Sequence, residues 1–282
     1  MDIRAELRSA GIPVSDIEPM GGGCVSAVYQ IRTVGGNVLV AKADEYGDAN
    51  LPIEAFMLQY LNEHTRLPVP TVEFFSEKLL VMSYISGSSR FDPQAERHAA
   101  ELLAELHNIT SQTYGFLGDT LIGGLRQPNK PDGSWLSFFR DQRLMYMAQE
   151  ATRSGRLPSS LFLRIESLCS HLENWLFEPE SPSLVHGDVW TTNVLAAKGR
   201  IVGFLDPAIY FAHDEIELAF TTLFHTFGRD FYERYQSIRP PRPGFYEERR
   251  DLYNLYPLLV HVRLFGGAYI SSLDHVLQRY ER

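Results

Sequence analysis

Two carboxylates and an amide are the residues of this chain most suited to chemistry. In His186-Gly187-Asp188-Val189-Trp190-Thr191-Thr192-Asn193, an Asp is followed five residues on by an Asn, and Asp206 comes thirteen residues later. One carboxylate can orient a hydroxyl. An amide oxygen and a second carboxylate are hard donors suited to Mg²⁺. Together they suit phosphoryl transfer, where catalysis rests on positioning and charge neutralisation. The spacing has a mechanical reason: Asp188 and Asn193 leave a short loop, and a hairpin then returns Asp206 to the same metal. By type alone, Asp188 and Asn193 are also ordinary turn residues, because Asp and Asn favour loops.

Asp188 is the candidate catalytic residue. A carboxyl of pKa about 4 is too weak a base to strip a sugar hydroxyl outright, so alignment is its expected task. Asn193 and Asp206 are the candidate metal ligands. His186 is expected to support the loop by hydrogen bonding. The Trp190 ring can face a sugar or the core.

The elements that would hold these groups come in a telling order. A short amphipathic helix carries Ile3 and Leu7, with Gly11 as its stop. Strand-like sequence runs from Ile17 to Ala43, turning at Gly35-Gly36-Asn37. Pro52 opens a helix with Ile53, Phe56, Met57, Tyr60 and Leu61 at helical spacing, and strands over 71–75 and 79–85 follow. Beyond Ser86-Gly87-Ser88-Ser89 the pattern is mostly helical, beginning where Asp92 caps and Pro93 opens a helix. Residues 111–134 read as a long loop able to close over substrate. Helices are expected at 135–149, 161–175, 216–227, 231–236 and from about Phe245 onward, with the hairpin of the catalytic loop between the second and third. The fold class is therefore α+β and bilobal, with a small strand-rich lobe over 1–85 and a larger, mainly helical lobe over 86–282. A strand-rich lobe before a helical one fits the protein-kinase-like fold, whose catalytic Asp, Asn and metal Asp match the trio above.

The first lobe offers a nucleotide side. Gly21, Gly22 and Gly23 let backbone approach phosphate closely, although a plain hairpin turn has the same composition. Lys42 can pair with phosphates and Glu54 can hold it. The alternatives are a solvated strand end and a first-turn carboxylate favoured by the helix dipole. Met82, Ser83, Tyr84 and Ile85 lie where main chain can read an adenine edge, with Met82 and Val40 as apolar walls. Cys24, at the tip of the glycine-rich loop, is a candidate redox switch that would link two copies through a disulfide; an inert thiol is the alternative.

Composition excludes other classes. A net charge of −9 leaves no broad basic surface, so nucleic acid and anionic membranes are not expected partners. Two cysteines, no apolar leader and no apolar run of about twenty residues point to a soluble protein of the reducing cytoplasm.

The catalytic stretch resembles the His-Gly-Asp-Leu-Trp-x-x-Asn signature of the fructosamine/ketosamine-3-kinase family. The segment from Asp206-Pro207-Ala208 through Tyr210, His213, Glu215 and Glu217 to Leu218-Ala219 is similar to a second family segment. Further likeness lies in Gly115-Phe116-Leu117-Gly118-Asp119, Gln127-Pro128-Asn129, Trp135, Phe138-Phe139, Pro243-Gly244-Phe245, Leu252-Tyr253, His261 and Phe265-Gly266. It runs from about residue 15 to the C-terminus. Ala212 and Thr191-Thr192 depart from the commoner Gly and Ser-Gly without touching a catalytic atom. The resemblance implies ATP- and Mg²⁺-dependent phosphorylation of the 3-hydroxyl of a ketosamine, free or on a protein lysine, yielding a labile adduct that releases the amine. It also makes Trp190, Tyr210 and His213 candidate acceptor contacts. Glu215 and Glu217 could anchor the catalytic loop, but solvent-facing charge is the commoner expectation. Aminoglycoside, choline or homoserine kinases of the same fold, and an inactive nucleotide-binding module, are the competing readings.

Overall fold

The computed structural model describes residues 2–21, 26–45, 47 and 49–281. Its first sheet has the order β1-β2-β3-β5-β4 and is antiparallel throughout: β1 Val14–Met20, β2 Ala27–Thr33, β3 Val38–Ala43, β4 Val72–Phe75 and β5 Leu79–Ser83. Side chains alternate between faces at a period of two. Ile31, Ala41, Leu79 and Val81 therefore bury against Leu7 of helix α1 (Ile3–Ser9). Val28, Val40, Lys42 and Met82 project to the other side and line a cleft. Cross-strand pairing of Val28 with Lys42 and Val40 with Met82 sets them beside one another.

Helix α2 (Leu51–His64) lies between strands of this sheet in sequence, yet its apolar residues belong to the main core of the protein. Leu51, Ala55, Met57, Leu58 and Leu61 are all buried there. Helix α3 (Pro93–Leu106) opens as expected, with Asp92 accepting from the Ala95 N–H at 2.8 Å.

The segment 111–134 differs from the expected mobile loop. It contains a hairpin, β6 Thr120–Ile122 and β7 Leu125–Gln127, turned by Gly123 and Gly124, whose φ values are +54° and +79°. Paired positive φ values suit glycine and match the twist of a two-residue hairpin. Thr120, Gln127 and Asn129 are buried and hydrogen-bonded to one another and to their surroundings, so the polar residues that read as loop are interior groups.

The remaining helices are α4 (Trp135–Phe139), which runs through a π-helical stretch at Arg140–Met145 into α5 (Tyr146–Arg153), then α6 (Ser159–Cys169), α7 (Glu215–Leu223), α8 (Arg229–Ile238), α9 (Arg250–Tyr253), α10 (Leu255–Phe265) and α11 (Ala268–Leu277). Two small ladders stand among them. Strand β8 (Ser183–Val185) pairs with β11 (Tyr210–Ala212), and β9 (Val194–Ala197) pairs with β10 (Arg200–Phe204). The linker after β5 lies on the second ladder: Ser88 exchanges two backbone hydrogen bonds with Ala196, at 3.0 and 2.9 Å. Among the described residues, no helix is long and apolar enough to cross a membrane.

Glu215 corrects the expectation of a solvent-facing charge. It is 2% exposed and takes a bidentate pair from Arg249, itself 3% exposed, at 2.7 Å for each bond. Burial of a charge is tolerable only with such pairing. Arg249→Met would strand the Glu215 carboxylate in the interior, at a cost of about 3–5 kcal/mol. The urea unfolding midpoint should fall accordingly, and adding Glu215→Leu should restore part of the loss. An unchanged midpoint in the single variant would contradict this role.

Candidate active site

The cleft between the sheet and the helical part encloses a cavity of about 470 Å³. Lys42, Glu54, Asp188, Asn193 and Asp206 all line it, so the residues singled out by spacing meet in space. The β9–β10 hairpin does this mechanically. Val194 pairs with Phe204, and the Leu205 N–H donates to the Asn193 carbonyl at 2.8 Å, which brings Asp206 back beside the catalytic stretch. Asp206 has φ +51°, a left-handed conformation that Asp tolerates better than most residues.

Lys42 Nζ lies 2.5 Å from Glu54 Oε1 and 2.5 Å from Asp206 Oδ1. Burial alone would lower the lysine pKa, but the two carboxylates outweigh it and hold the ammonium charged. The alternative of a solvated strand end is thereby excluded. Asn193 Nδ2 donates to Asp188 Oδ2 at 2.8 Å and to the Asp188 carbonyl at 3.1 Å. Burial, with the Asp206 charge nearby, pushes the Asp188 carboxyl up to about 8, against the pull of the Asn193 bond. Two carboxylates and an amide oxygen facing one space are a donor set that fits a hard divalent cation.

His186 supports the loop, as expected. Its Nδ1 accepts the Asp188 N–H at 3.3 Å, and burial pushes its pKa down to about 4. A neutral ring pointing its acceptor nitrogen at backbone is no base for the acceptor hydroxyl. Gly187 is required by geometry: φ is +85°, and a Cβ would stand 2.2 Å from the Ala208 carbonyl oxygen.

Glu217 is the second correction to the expectation for α7. It is 2% exposed and accepts from the backbone N–H of His186 at 3.2 Å and of Gly187 at 2.6 Å. Its carboxylate also takes His107 Nε2–H at 2.8 Å, and His107 Nδ1 accepts from the Tyr235 hydroxyl at 2.7 Å. The helix thus grips the catalytic loop from behind. Pattern alone does not reveal this, since α7 carries Glu at the exposed-looking positions of an apolar helix.

The nucleotide-side residues lie as follows. Gly21, Met82, Ser83, Tyr84 and Ile85 line the cleft. The Ser83 N–H is committed to the Thr71 carbonyl at 2.9 Å, so it is not free to read a base. Gly22, Gly23 and Cys24 lie outside the described residues.

Of the three acceptor candidates, Trp190 alone lines the cleft, its ring tilted against Phe224 at 5.5 Å and edge-on to His261 at 6.2 Å. Tyr210 and His213 do not reach it. Strand β11 pairs with β8 and turns Tyr210 under the Arg143 guanidinium, 3.8 Å from the ring, and against Phe138. His213 bonds Asp214 at 2.8 Å within Trp135, Phe177 and Tyr253. The cleft wall has residues instead that spacing could not assign: His261 and Phe265 of α10 and the Gly123–Gly124 turn. His261 Nδ1 donates to the Pro257 carbonyl at 2.7 Å, which leaves Nε2 as an acceptor. The likeness of His261 and Phe265 to family residues was the available signal, but it carried no role.

The two-lobed arrangement is that of kinase-like phosphotransferases. A solved structure from Thermobifida fusca carrying the name fructosamine-3-kinase superposes with a TM-score of 0.87 at 27% identity, covering 98% of this chain and 97% of that one. An aminoglycoside phosphotransferase shares the fold at a TM-score of 0.69 and 18% identity, covering 99% of this chain and 98% of its own. The fructosamine kinase family model matches residues 3–282, and this chain belongs to that family. A Vibrio parahaemolyticus protein carrying the ketoamine-kinase name is 34% identical, covering 92% of this chain and 90% of that protein. A chloroplastic protein-ribulosamine 3-kinase of Arabidopsis thaliana is 31% identical, covering 95% and 83%.

Glu217 makes a pH prediction. Burial would raise its carboxyl, but the His107 bond, the neighbouring histidines and the Gly187 N–H together hold it below the ordinary value. A carboxyl depressed in the fold stabilises above the ordinary carboxylate range and loses that contribution as pH falls through the depressed value. Glu217→Gln should therefore lower stability by about 1–3 kcal/mol near neutrality, with the gap closing in acid. Urea titrations from pH 7 downward check this; a gap that widens toward acid would refute it.

Proposed function

We propose that this protein is an ATP-dependent kinase acting on the 3-hydroxyl of ketosamines, the adducts left when sugars condense with amines and rearrange. The observation that carries the reading is the meeting of Asp188, Asn193, Asp206 and Lys42 in one cleft beside an aromatic wall. The names of the curated relatives, ketoamine kinase and protein-ribulosamine 3-kinase, support the acceptor and the position phosphorylated.

In this reading Asp188 receives the acceptor hydroxyl. Asn193 holds the carboxylate in place and Glu217 holds the loop that carries it. A cation bound beside Asp188 would favour its ionised form, and proton transfer to it comes late, since a loose transition state needs alignment more than a strong base. Lys42, kept in position by Glu54, meets the phosphates of ATP. The Asn193 amide oxygen and Asp206 would hold Mg²⁺, which when bound neutralises phosphate charge. The main chain of Tyr84 and Ile85 faces the base, between the apolar side chains of Val40 and Met82. Trp190, His261 and Phe265 form the acceptor wall, where rings can lie against a sugar face and an adjacent ammonium. The two cysteines suit a reducing cytoplasm.

An aminoglycoside acceptor fits less well. A polycation calls for several carboxylates, and among the described residues lining the cleft the acids are Glu54, Asp188 and Asp206, all engaged in the nucleotide and metal side of this reading.

The test is a panel of ribulose-, fructose- and erythrulose-derived amines with ATP and Mg²⁺, read by ³¹P spectroscopy and mass spectrometry. At least one should gain phosphate at the 3-position. Asp188→Ala should lower kcat by about 10²–10⁴-fold while calorimetric nucleotide affinity stays near wild type. Turnover of an aminoglycoside in place of every ketosamine would overturn the acceptor; undiminished turnover by Asp188→Ala would overturn the catalytic assignment.

A further inference from the structure

Gln127 occupies an unusual junction. Its side chain is fully buried and used at both ends. Nε2 donates to Thr120 Oγ1 at 2.8 Å and to the Ala208 carbonyl at 3.0 Å, and Oε1 accepts from the Tyr256 hydroxyl at 2.7 Å. These partners stand on three different elements. Thr120 is the opposite strand of its own hairpin, Ala208 follows Asp206 in the metal-side segment, and Tyr256 lies in the first turn of α10.

Two of these elements, the hairpin and α10, line the part of the cleft that the reading above gives to the acceptor. The hairpin presents Ile122, Gly123 and Gly124 there, and α10 presents His261 and Phe265. The turn rests directly on the helix: a Cβ at Gly123 would lie 2.8 Å from Leu264 Cδ1. Ala208 in turn donates its N–H to the His186 carbonyl at 2.8 Å, two residues before Asp188. An amide can fill this place because it donates and accepts at once. A carboxylate would face the Ala208 carbonyl with like charge, and an apolar side chain would leave that carbonyl and the Tyr256 hydroxyl buried without a partner.

We infer that Gln127 is a positioning residue for the acceptor, setting the gap between the 122–124 turn, α10 and the catalytic loop without touching substrate itself. This rests on the acceptor lying against Trp190, His261 and Phe265, as proposed above. The nucleotide side is built from the first sheet, α2 and the β9–β10 hairpin, to which Gln127 makes no side-chain hydrogen bond among the described residues. Its one tie to the metal side is the Ala208 carbonyl, two residues past Asp206, so its loss should act on the acceptor more than on ATP.

The experiment uses the full chain with Gln127→Glu and with Tyr256→Phe, the latter keeping core volume should the former fail to fold. For both, KM is measured for ATP and for the ketosamine that wild type turns over best. Acceptor KM should rise about tenfold in Gln127→Glu, corresponding to one lost buried hydrogen bond, and less in Tyr256→Phe, with ATP KM changed less than about twofold. Hydrogen exchange of the same proteins should quicken at 120–127 and not at 194–204. Acceptor and ATP KM rising together, or unchanged acceptor KM with unchanged exchange at the hairpin, would overturn the inference. If wild type phosphorylates no ketosamine, the acceptor assignment fails by itself, and the exchange measurement still decides whether Gln127 holds the hairpin.

Discussion

Charge crowding is the constraint around which this site is built. Glu54 and Asp206 both lie within 2.5 Å of one ammonium, and burial, with the Asp206 charge beside it, pushes the Asp188 carboxyl up. Carboxylates placed this close repel unless cations lie between them. Lys42 supplies one such cation from the sheet. The remaining excess of negative charge suits a hard divalent cation. The strand that ends in Lys42, the helix that carries Glu54 and the hairpin that returns Asp206 are held in the geometry this balance needs.

The second requirement is a rigid support for the catalytic loop, and it comes from buried carboxylates on α7. Glu217 receives two loop N–H groups, while Glu215 ties the same helix to Arg249. These charges lie inside the protein because each is fully partnered, which is the condition for burying them at all. Helix α2 adds a related restraint from the other side. Its apolar face packs into the main core, so Glu54 is placed by the same interior that places the loop.

Much of the site was legible because its spacing encodes mechanics. A short loop between Asp188 and Asn193, a hairpin back to Asp206, and alternation along Val38–Ala43 that puts Lys42 opposite Ala41 are all local relations. Tyr210 and His213 were misplaced for the opposite reason. They lie close in sequence to Asp206, but strand pairing turns that segment away from the cleft within four residues. The hairpin at 120–127 was hidden because Thr120, Gln127 and Asn129 have the composition of a loop while acting as a buried polar network.

From sequence alone come the order of elements, the kinase-like trio, the lysine–glutamate pair and the family. Each follows from periodicity, turn chemistry or a motif written in consecutive residues. Which side chains wall the cleft, which glutamates are interior, and how Gln127 joins three elements were decided by tertiary structure. These depend on contacts between segments as much as 129 residues apart, such as Gln127 with Tyr256, and no local pattern carries the information that two distant polar groups will share one buried hydrogen bond.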